Sequence, residues 1–335
     1  MSQETTRPRR DAATDLPTLS VVVIARNEER RIERCLESVL AAAEPFDAET
    51  IVVDSNSTDR TAELAADYPA TVFRIPTDDL SNPSAGRYVG GAVAEGEQVL
   101  FVDGDIVVED GDWLETASRM VAADPRLAGV DGHLDERPHE DSASDRPEEV
   151  GWIRGVALYD ADALAAVGGF DPYLRAVEDL HLGHELTAAG YRFRRLQTVV
   201  GHQIRDDAGL HEPFRRWERG FFDGVADALA RSADSPSLLA KHLWRLRYAV
   251  LTGVWLVVGV ASLVALPAFA VWAAVSAVAV AALVRLKGPT LAYKVVMGWV
   301  SVALAAVLYD WSPPPDPEEY PLDRVERVAS GPRLG

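Results

Sequence analysis

One cysteine, Cys35, occurs in 335 residues, so no intramolecular disulfide can form and packing alone must hold the core. Lysine is nearly as scarce. Lys241, Lys287 and Lys294 are the only three among 33 basic residues, and the rest are arginine. Basic residues are outnumbered by 52 acidic ones, for a formal net charge of -19. That balance excludes a nucleic-acid partner, which a basic surface would have to attract. An acid excess with little lysine suits a cytoplasm of very high salt, where screening suppresses self-repulsion, and reads as the composition of a salt-loving archaeon. No secretory signal is visible: Arg7, Arg9 and Arg10 are followed by no apolar stretch of the right length. Residues 1–17 therefore read as a disordered tail on a cytoplasmic domain. Charge of either sign is missing from Tyr248 to Val284, a run far longer than the roughly twenty residues that one bilayer crossing needs.

Upstream of that run, short β-branched stretches alternate with helical periodicity. Strands are expected at 19–24, 50–53, 71–75 and 98–102, with helices between them; in the first helix Ile32, Cys35, Leu36, Val39 and Leu40 share one face. Such alternation implies an α/β fold with a doubly wound, mostly parallel sheet, here over about 18–230. Residues 135–149 read as a solvated loop, followed by a strand, two helices and a further strand that ends before His202. Leu210, Phe214, Trp217, Phe221 and Val225 make one apolar stripe flanked by Arg215, Arg216 and Arg219. A helix over about 209–226 with this pattern either lies on a membrane surface or is an ordinary buried helix.

The C-terminal part, 241–310, reads as an α-helical transmembrane region. Pro267 divides the uncharged run into crossings at about 249–266 and 268–284. A third stretch, 291–309, carries Lys294 near one end and either crosses, putting the tail outside, or lies along the surface. Lys241, Arg245 and Arg247 before the run, and Arg285 and Lys287 after it, place both flanks on the cytoplasmic side of a multi-pass cell-membrane protein. Residues 311–335, with Pro313, Pro314 and Pro315, read as a disordered tail.

Three acidic features carry candidate chemistry. Phe101-Val102-Asp103-Gly104-Asp105 ends a strand in two carboxylates. Open α/β sheets bind ligands at that end, and a hard cation such as Mg²⁺ or Mn²⁺ would offset the repulsion of the pair. An acidic turn reads equally well from these residues alone. Asp54 also ends a strand, but could instead cap the following helix. Glu178-Asp179 opens a helix, where acids also complement the dipole.

Taken in order, Val22-Val23-Ile24-Ala25-Arg26-Asn27-Glu28, Val52-Val53-Asp54-Ser55-Asn56-Ser57-Thr58-Asp59, Phe101-Val102-Asp103-Gly104-Asp105 and Glu178-Asp179 resemble the inverting glycosyltransferases of family 2, over about 19–205. The resemblance implies the A-type nucleotide-sugar fold (GT-A). It implies that Asn27 and Glu28 contact the nucleotide base, and that Asp54 contacts base or ribose. Arg87, in Gly86-Arg87-Tyr88-Val89-Gly90, matches the arginine of the family's Ala-Arg-Asn-x-Gly segment and would pair with phosphate or an acidic neighbour. Tyr88 stands where asparagine is usual. Asp103 would hold the ribose or the metal shell, Asp105 would ligate the cation, and His202 would complete the shell. Asp179 would be the catalytic base and Glu178 its like-charged neighbour. Gly155, Gly168, Gly169 and Phe170 resemble walls of the acceptor region. Arg216-Trp217 meets only part of the Gln-x-x-Arg-Trp motif of processive members, because Pro213 occupies the glutamine position.

The implied activity is transfer of one sugar from a nucleotide-sugar to a lipid-linked saccharide or polyprenyl phosphate, dolichyl-phosphate-linked in an archaeon and serving protein N-glycosylation. Two alternatives stay open: a synthase that loads the first sugar onto dolichyl phosphate, and a membrane scaffold with a degenerate transferase domain.

Overall fold

The computed structural model describes residues 16–109, 112–135, 146–204, 217, 220–233, 235–311 and 315–334. Almost all of the expected N-terminal tail, the tip of the 135–149 loop and most of the 209–219 part of the aromatic stripe lie outside those residues.

The chain opens as expected. β1 (Leu19–Ala25), α1 (Ile32–Ala43), β2 (Ala48–Asp54), α2 (Thr61–Ala66), β3 (Thr71–Arg74), α3 (Pro83–Val93) and β4 (Gln98–Asp103) alternate. β1 is buried along its whole length, as its unbroken apolar sequence requires of a strand covered on both faces. Strands β3-β2-β1-β4 lie side by side and parallel. Register sets Ala25 beside Asp54 and Ile24 beside Asp103, so three strand ends form one acidic rim. Helix α3 lies close against β1: a Cβ on Gly90 would come within 2.2 Å of Val22, so only glycine permits the approach. Arg87, one turn earlier on α3, is thereby carried to the rim. Cys35 is fully buried in the core on α1, and burial pushes its thiol pKa up, which leaves it inert.

Beyond β4 the sheet becomes mixed. After β5 (Ile106–Val108), α4 (Trp113–Ala123), β6 (Leu127–Leu134) and β7 (Glu148–Val150) come β8 (Ala157–Asp160), α5 (Ala161–Ala166), α6 (Glu178–Ala188) and β9 (Arg192–Gln203). β8 runs antiparallel to both β4 and β6, while β9 is parallel to β6.

The C-terminal region holds α7 (Phe221–Arg231), α8 (Pro236–Arg245), α9 (Arg247–Ser262), α10 (Leu266–Lys287) and α11 (Pro289–Leu308). Of the stripe residues whose side chains are described, Val225 is buried against the domain while Trp217 is 43% exposed, so the stripe is core only at its C-terminal end. The expected break at Pro267 falls at 263–265 instead. Pro267 sits in the first turn of α10, where its missing N–H costs nothing. Both α10 and α11 are long and apolar enough to cross a membrane, whereas the shorter α9 qualifies only together with α8, at a 72° bend. The three apolar helices pack together through Tyr248 on Trp299 (5.5 Å) and a Trp255 Nε1 hydrogen bond to Ser276 Oγ (2.9 Å). α11 ends on the α/β domain, where the Tyr309 hydroxyl donates to Asp227 Oδ1 (2.6 Å).

The tail departs most from expectation. Instead of being disordered, it adds β10 (Glu326–Ala329) antiparallel to β3 and β11 (Arg333–Leu334) to β2. An open β3 edge would leave a row of backbone donors and acceptors unpaired, and the tail covers them. Tyr320 anchors it, 4% exposed, with its ring edge-on to Tyr88 (5.6 Å) and Tyr173 (5.9 Å) and its hydroxyl donating to Leu80 O (2.9 Å). This packing gives Tyr88, the departure from the family segment, a structural role. Tyr320→Ala should cost about 3 kcal/mol, typical of truncating a buried aromatic. A thermal or denaturant midpoint unchanged from the parent would show that the tail contributes nothing to the fold.

Candidate active site

Two loops build the first half of the site. After β1 the backbone turns left-handed at Asn27 (φ 57°), which asparagine tolerates. The Asn27 amide donates to Ser57 Oγ (2.9 Å), and its side-chain oxygen accepts from the Thr58 amide (2.9 Å). The Glu28 amide donates to Thr61 Oγ1 (2.7 Å), and its carboxylate pairs with Arg31. These bonds lock the loop after β1 to the loop after β2. Asp54, at the end of β2, is fully buried beneath them. One carboxylate oxygen accepts from the Ser57 amide (3.1 Å) and faces Arg74 Nε at 3.5 Å. The other, Oδ1, is buried without a hydrogen-bond partner among the described residues. A buried carboxylate oxygen left without a donor is costly, so its place suits a ligand N–H or hydroxyl.

The second half centres on Arg87, 4% exposed. One guanidinium nitrogen donates to Asp103 Oδ1 (2.8 Å) and another to Glu178 Oε1 (2.9 Å), while Nε lies 3.9 Å from Asp179 Oδ1. Its face rests over Phe170 at 5.6 Å, a cation–π contact. One arginine thus joins the end of β4 to the start of α6. The acids still repel one another. Burial, then Asp105 and Glu178, push Asp103 up to about 6 against the pull of Arg87. Burial, then Glu178 and Asp103, raise Asp179 to about 7, against Arg87 and Arg154. Val177, just before the pair, is left-handed (φ 58°), a strained conformation for a β-branched residue.

Asp105 sits across Gly104, whose amide donates to Ile24 O (2.8 Å) and whose missing Cβ would lie 3.0 Å from that of Ala25. Gln203 Nε2 donates to Asp105 Oδ2 (2.9 Å). His202, which the resemblance places in the metal shell, lies beside two other carboxylates. Its Nε2 lies 2.7 Å from Glu109 and its Nδ1 3.6 Å from Asp135. Strand alternation turns His202 and Gln203 to opposite faces, so the neighbour reaches Asp105. Among the described residues no group of three or more His, Cys, Asp or Glu could hold a metal ion. Two neighbouring carboxylates nevertheless fit Mg²⁺ or Mn²⁺, which take one or two carboxylates and leave the rest of the shell to substrate phosphates and water.

The Phe170–Pro172 turn is held on α3: Ser84 Oγ donates to Asp171 O (2.6 Å), Asn82 Nδ2 donates to Pro172 O (2.8 Å), and the Asp171 carboxylate pairs with Arg231 of α7. Sequence reasoning passed over Gln203, Asp171 and Arg231, which carry no local motif.

A doubly wound sheet with a buried carboxylate and an arginine-bridged acidic rim at its strand ends has the fold of the A-type glycosyltransferases. More particularly, residues 20–179 match the family described as glycosyl transferase family 2. The 4,4'-diaponeurosporenoate glycosyltransferase of Staphylococcus haemolyticus (strain JCSC1435) is 32% identical over 109 residues, 31% of this chain and 28% of that protein. Its counterpart from Staphylococcus aureus (strain USA300) is 34% identical over 125 residues, 36% of this chain and 32% of that protein. The alignments thus span less than a third of either relative. Among solved structures, a mannosyltransferase from Pyrobaculum calidifontis in complex with GDP-Man and Mn²⁺ superposes with a TM-score of 0.54 over 90% of each chain, at 23% identity. Staphylococcus aureus TarS 1-349 in complex with UDP-GlcNAc gives 0.50 over 68% of this chain and 71% of that one, at 21% identity. Both likenesses show the fold.

Proposed function

We propose that this protein is an inverting glycosyltransferase that moves one sugar from a nucleotide-sugar to a lipid-borne acceptor at a membrane surface. The observation that carries this reading is the Arg87 bridge, which joins Asp103 at the end of β4 to Glu178 and Asp179 at the start of α6; we read the first as the donor side and the second as the acceptor side. Asp54 would receive the base or ribose. An acceptor oxygen attacks the anomeric carbon opposite the diphosphate; the carbon–oxygen bond to the diphosphate breaks, and its electron pair leaves with the nucleoside diphosphate. A hydroxyl acceptor gives its proton to Asp179, which burial and its acidic neighbours keep basic enough to take it. A divalent cation held by Asp105 and Asp103 supplies charge stabilisation for the leaving diphosphate when bound. Asp105→Ala should abolish Mn²⁺-stimulated transfer while leaving the melting temperature near that of the parent. Parental activity of this variant in EDTA would remove the cation from the reading.

The lipid acceptor is supported by where the apolar helices attach. α8 docks on α6, the helix that begins with the acidic pair, through His242 stacked on His181 (6.1 Å). A transferase held on the bilayer gains effective concentration toward an acceptor confined there. The chain on both sides of α9–α11 returns to the same α/β domain, which supports an even number of crossings, with the tail on the side of the active site. A third crossing that puts the tail outside does not fit β10 lying in the sheet. Joining Ser232 to Tyr309 through a short Gly-Ser linker removes these helices but keeps β10, because Tyr309 already touches α7. This variant should remain in solution without detergent and still bind donor nucleotide; sedimentation with membranes would count against the anchor.

Within this reading, a dolichyl-phosphate-linked saccharide in archaeal protein N-glycosylation is the proposed acceptor, and a synthase acting on the lipid phosphate itself is the second reading. Mass analysis of lipid-linked saccharides after gene deletion separates them. A missing inner or outer sugar supports extension, a missing lipid-phosphate monosaccharide supports the synthase, and an unchanged lipid pool defeats both.

A further inference from the structure

In a chain of net charge -19, the described part of one surface region gathers arginines and a lysine that no carboxylate pairs. Trp152 lies at its centre. Arg154 rests over the Trp152 ring at 5.4 Å, and Arg245, the last residue of α8, rests over the same ring at 5.3 Å. Lys241, one turn earlier on α8, lies 3.4 Å from His184 Nδ1 on α6. None of the three cations forms a salt bridge within the described residues. Guanidinium groups held by an aromatic face keep their N–H edges free for a planar or tetrahedral oxyanion.

The position ties this cluster to the reaction. Trp152 packs on Gly183, where a Cβ would lie 2.5 Å from that of Trp152. Gly183 follows Asp179 by four residues on α6, so Trp152 meets the face of that helix which carries the acid, about one turn of 5.4 Å further on. Arg154 is close enough to Asp179 to draw its pKa down. On the other side, Arg245 leads directly into Arg247 and α9, the first of the apolar helices.

We propose that Arg154, Arg245 and Lys241, organised by Trp152, bind the oxyanion of a lipid acceptor whose charged group lies at or within a few atoms of the attacking oxygen. The proposal rests on the glycosyltransferase reading above and, within it, favours the second reading, an acceptor that is the lipid anion itself, over a lipid-linked saccharide. One helical turn between clamp and base suits a lipid phosphate, or another terminal oxyanion such as a carboxylate, and leaves no room for a long glycan between them. Arg154 belongs to the catalytic domain and not to an apolar helix, so the cluster differs from cations that merely snorkel to a bilayer surface.

The test is direct binding to the full-length protein in neutral detergent. Geranyl phosphate, geranate, geraniol and inorganic phosphate are titrated calorimetrically without donor. Geranyl phosphate or geranate should bind at least about tenfold tighter than geraniol, as a hydrogen bond to a charged group implies, and whichever binds tighter identifies the anion. Arg154→Met and Arg245→Met should each remove about that factor while leaving the geraniol affinity and the melting temperature unchanged. Equal affinity for geraniol, or inorganic phosphate binding as tightly as the tightest lipid anion, overturns the proposal. So does retained selectivity in both variants accompanied by lost binding to phosphatidylglycerol vesicles, which would make the cluster a general membrane contact. Because neither donor nor turnover enters the measurement, failure of sugar transfer would defeat the transferase reading and leave the clamp to stand or fall on its own.

Discussion

With a hydroxyl acceptor, Asp179→Asn should lower kcat by about 10²–10⁴-fold, the usual worth of a positioned general base. The substitution keeps shape and removes basicity. Donor nucleotide affinity should hardly change, because Asp179 opens α6 while the proposed nucleoside contacts, Asn27, Glu28 and Asp54, lie at the ends of β1 and β2. The pH profile adds a second readout. A base works ionised, and Asp179 is raised to about 7, so kcat of the parent should rise with pH through that region and level off above it. Saturating Mn²⁺ should move this limb to lower pH, since a cation nearby favours the carboxylate. The residual activity of the asparagine variant should lose the limb. Equal losses in donor affinity and rate would assign Asp179 to the donor site or to the fold. Full activity would point to an acceptor whose attacking oxygen is already an anion and needs no base. A product that retains the donor's anomeric configuration would exclude single displacement.

Arg87→Met should be the most damaging single change. Arg87 is the cation set among Asp103, Glu178 and Asp179, and methionine preserves much of its length without its charge. Removing one partner of a buried ion pair costs about 3–5 kcal/mol because the other charge is left uncompensated. The low end, about 3 kcal/mol, is expected here because Asp103 keeps 34% of its side-chain surface exposed. The sign with pH follows from linkage. Asp103 and Asp179 already sit above their unfolded values, and without Arg87 they rise further, so the native state binds protons that the unfolded chain does not. Stability of the variant should therefore recover as pH falls and worsen as it rises. Melting temperatures of parent and variant at pH 8 and pH 5 test this: the gap should be widest at pH 8 and shrink at pH 5. A gap independent of pH would mean that Arg87 acts by packing on Phe170 alone.

Much of the domain was legible because its signals are local. A strand buried on both faces, such as β1, must read as an unbroken β-branched run, and the alternation of such runs with amphipathic helices determined the parallel half of the sheet. Acids at strand ends and at the start of α6 marked the site for the same reason: each lies where a strand or helix end leaves backbone and ligand together. Length and lack of charge determined the apolar helices.

Other features needed the tertiary structure because their partners are far apart in sequence. The antiparallel β8 inserted beside β4 has no local signature. His202 and Gln203 differ only in which face of β9 they present, and pairing with β5 decided that Gln203 reaches Asp105. Tyr320 and β10 sit in a stretch with too few apolar residues to show periodicity, and their order comes from an open sheet edge some 250 residues earlier in the chain. The same holds for the charge at the centre of the site. Composition determined that the protein is acidic, but only folding set the buried cation of Arg87 among three carboxylates drawn from two distant segments, where low solvation makes its charge count for most.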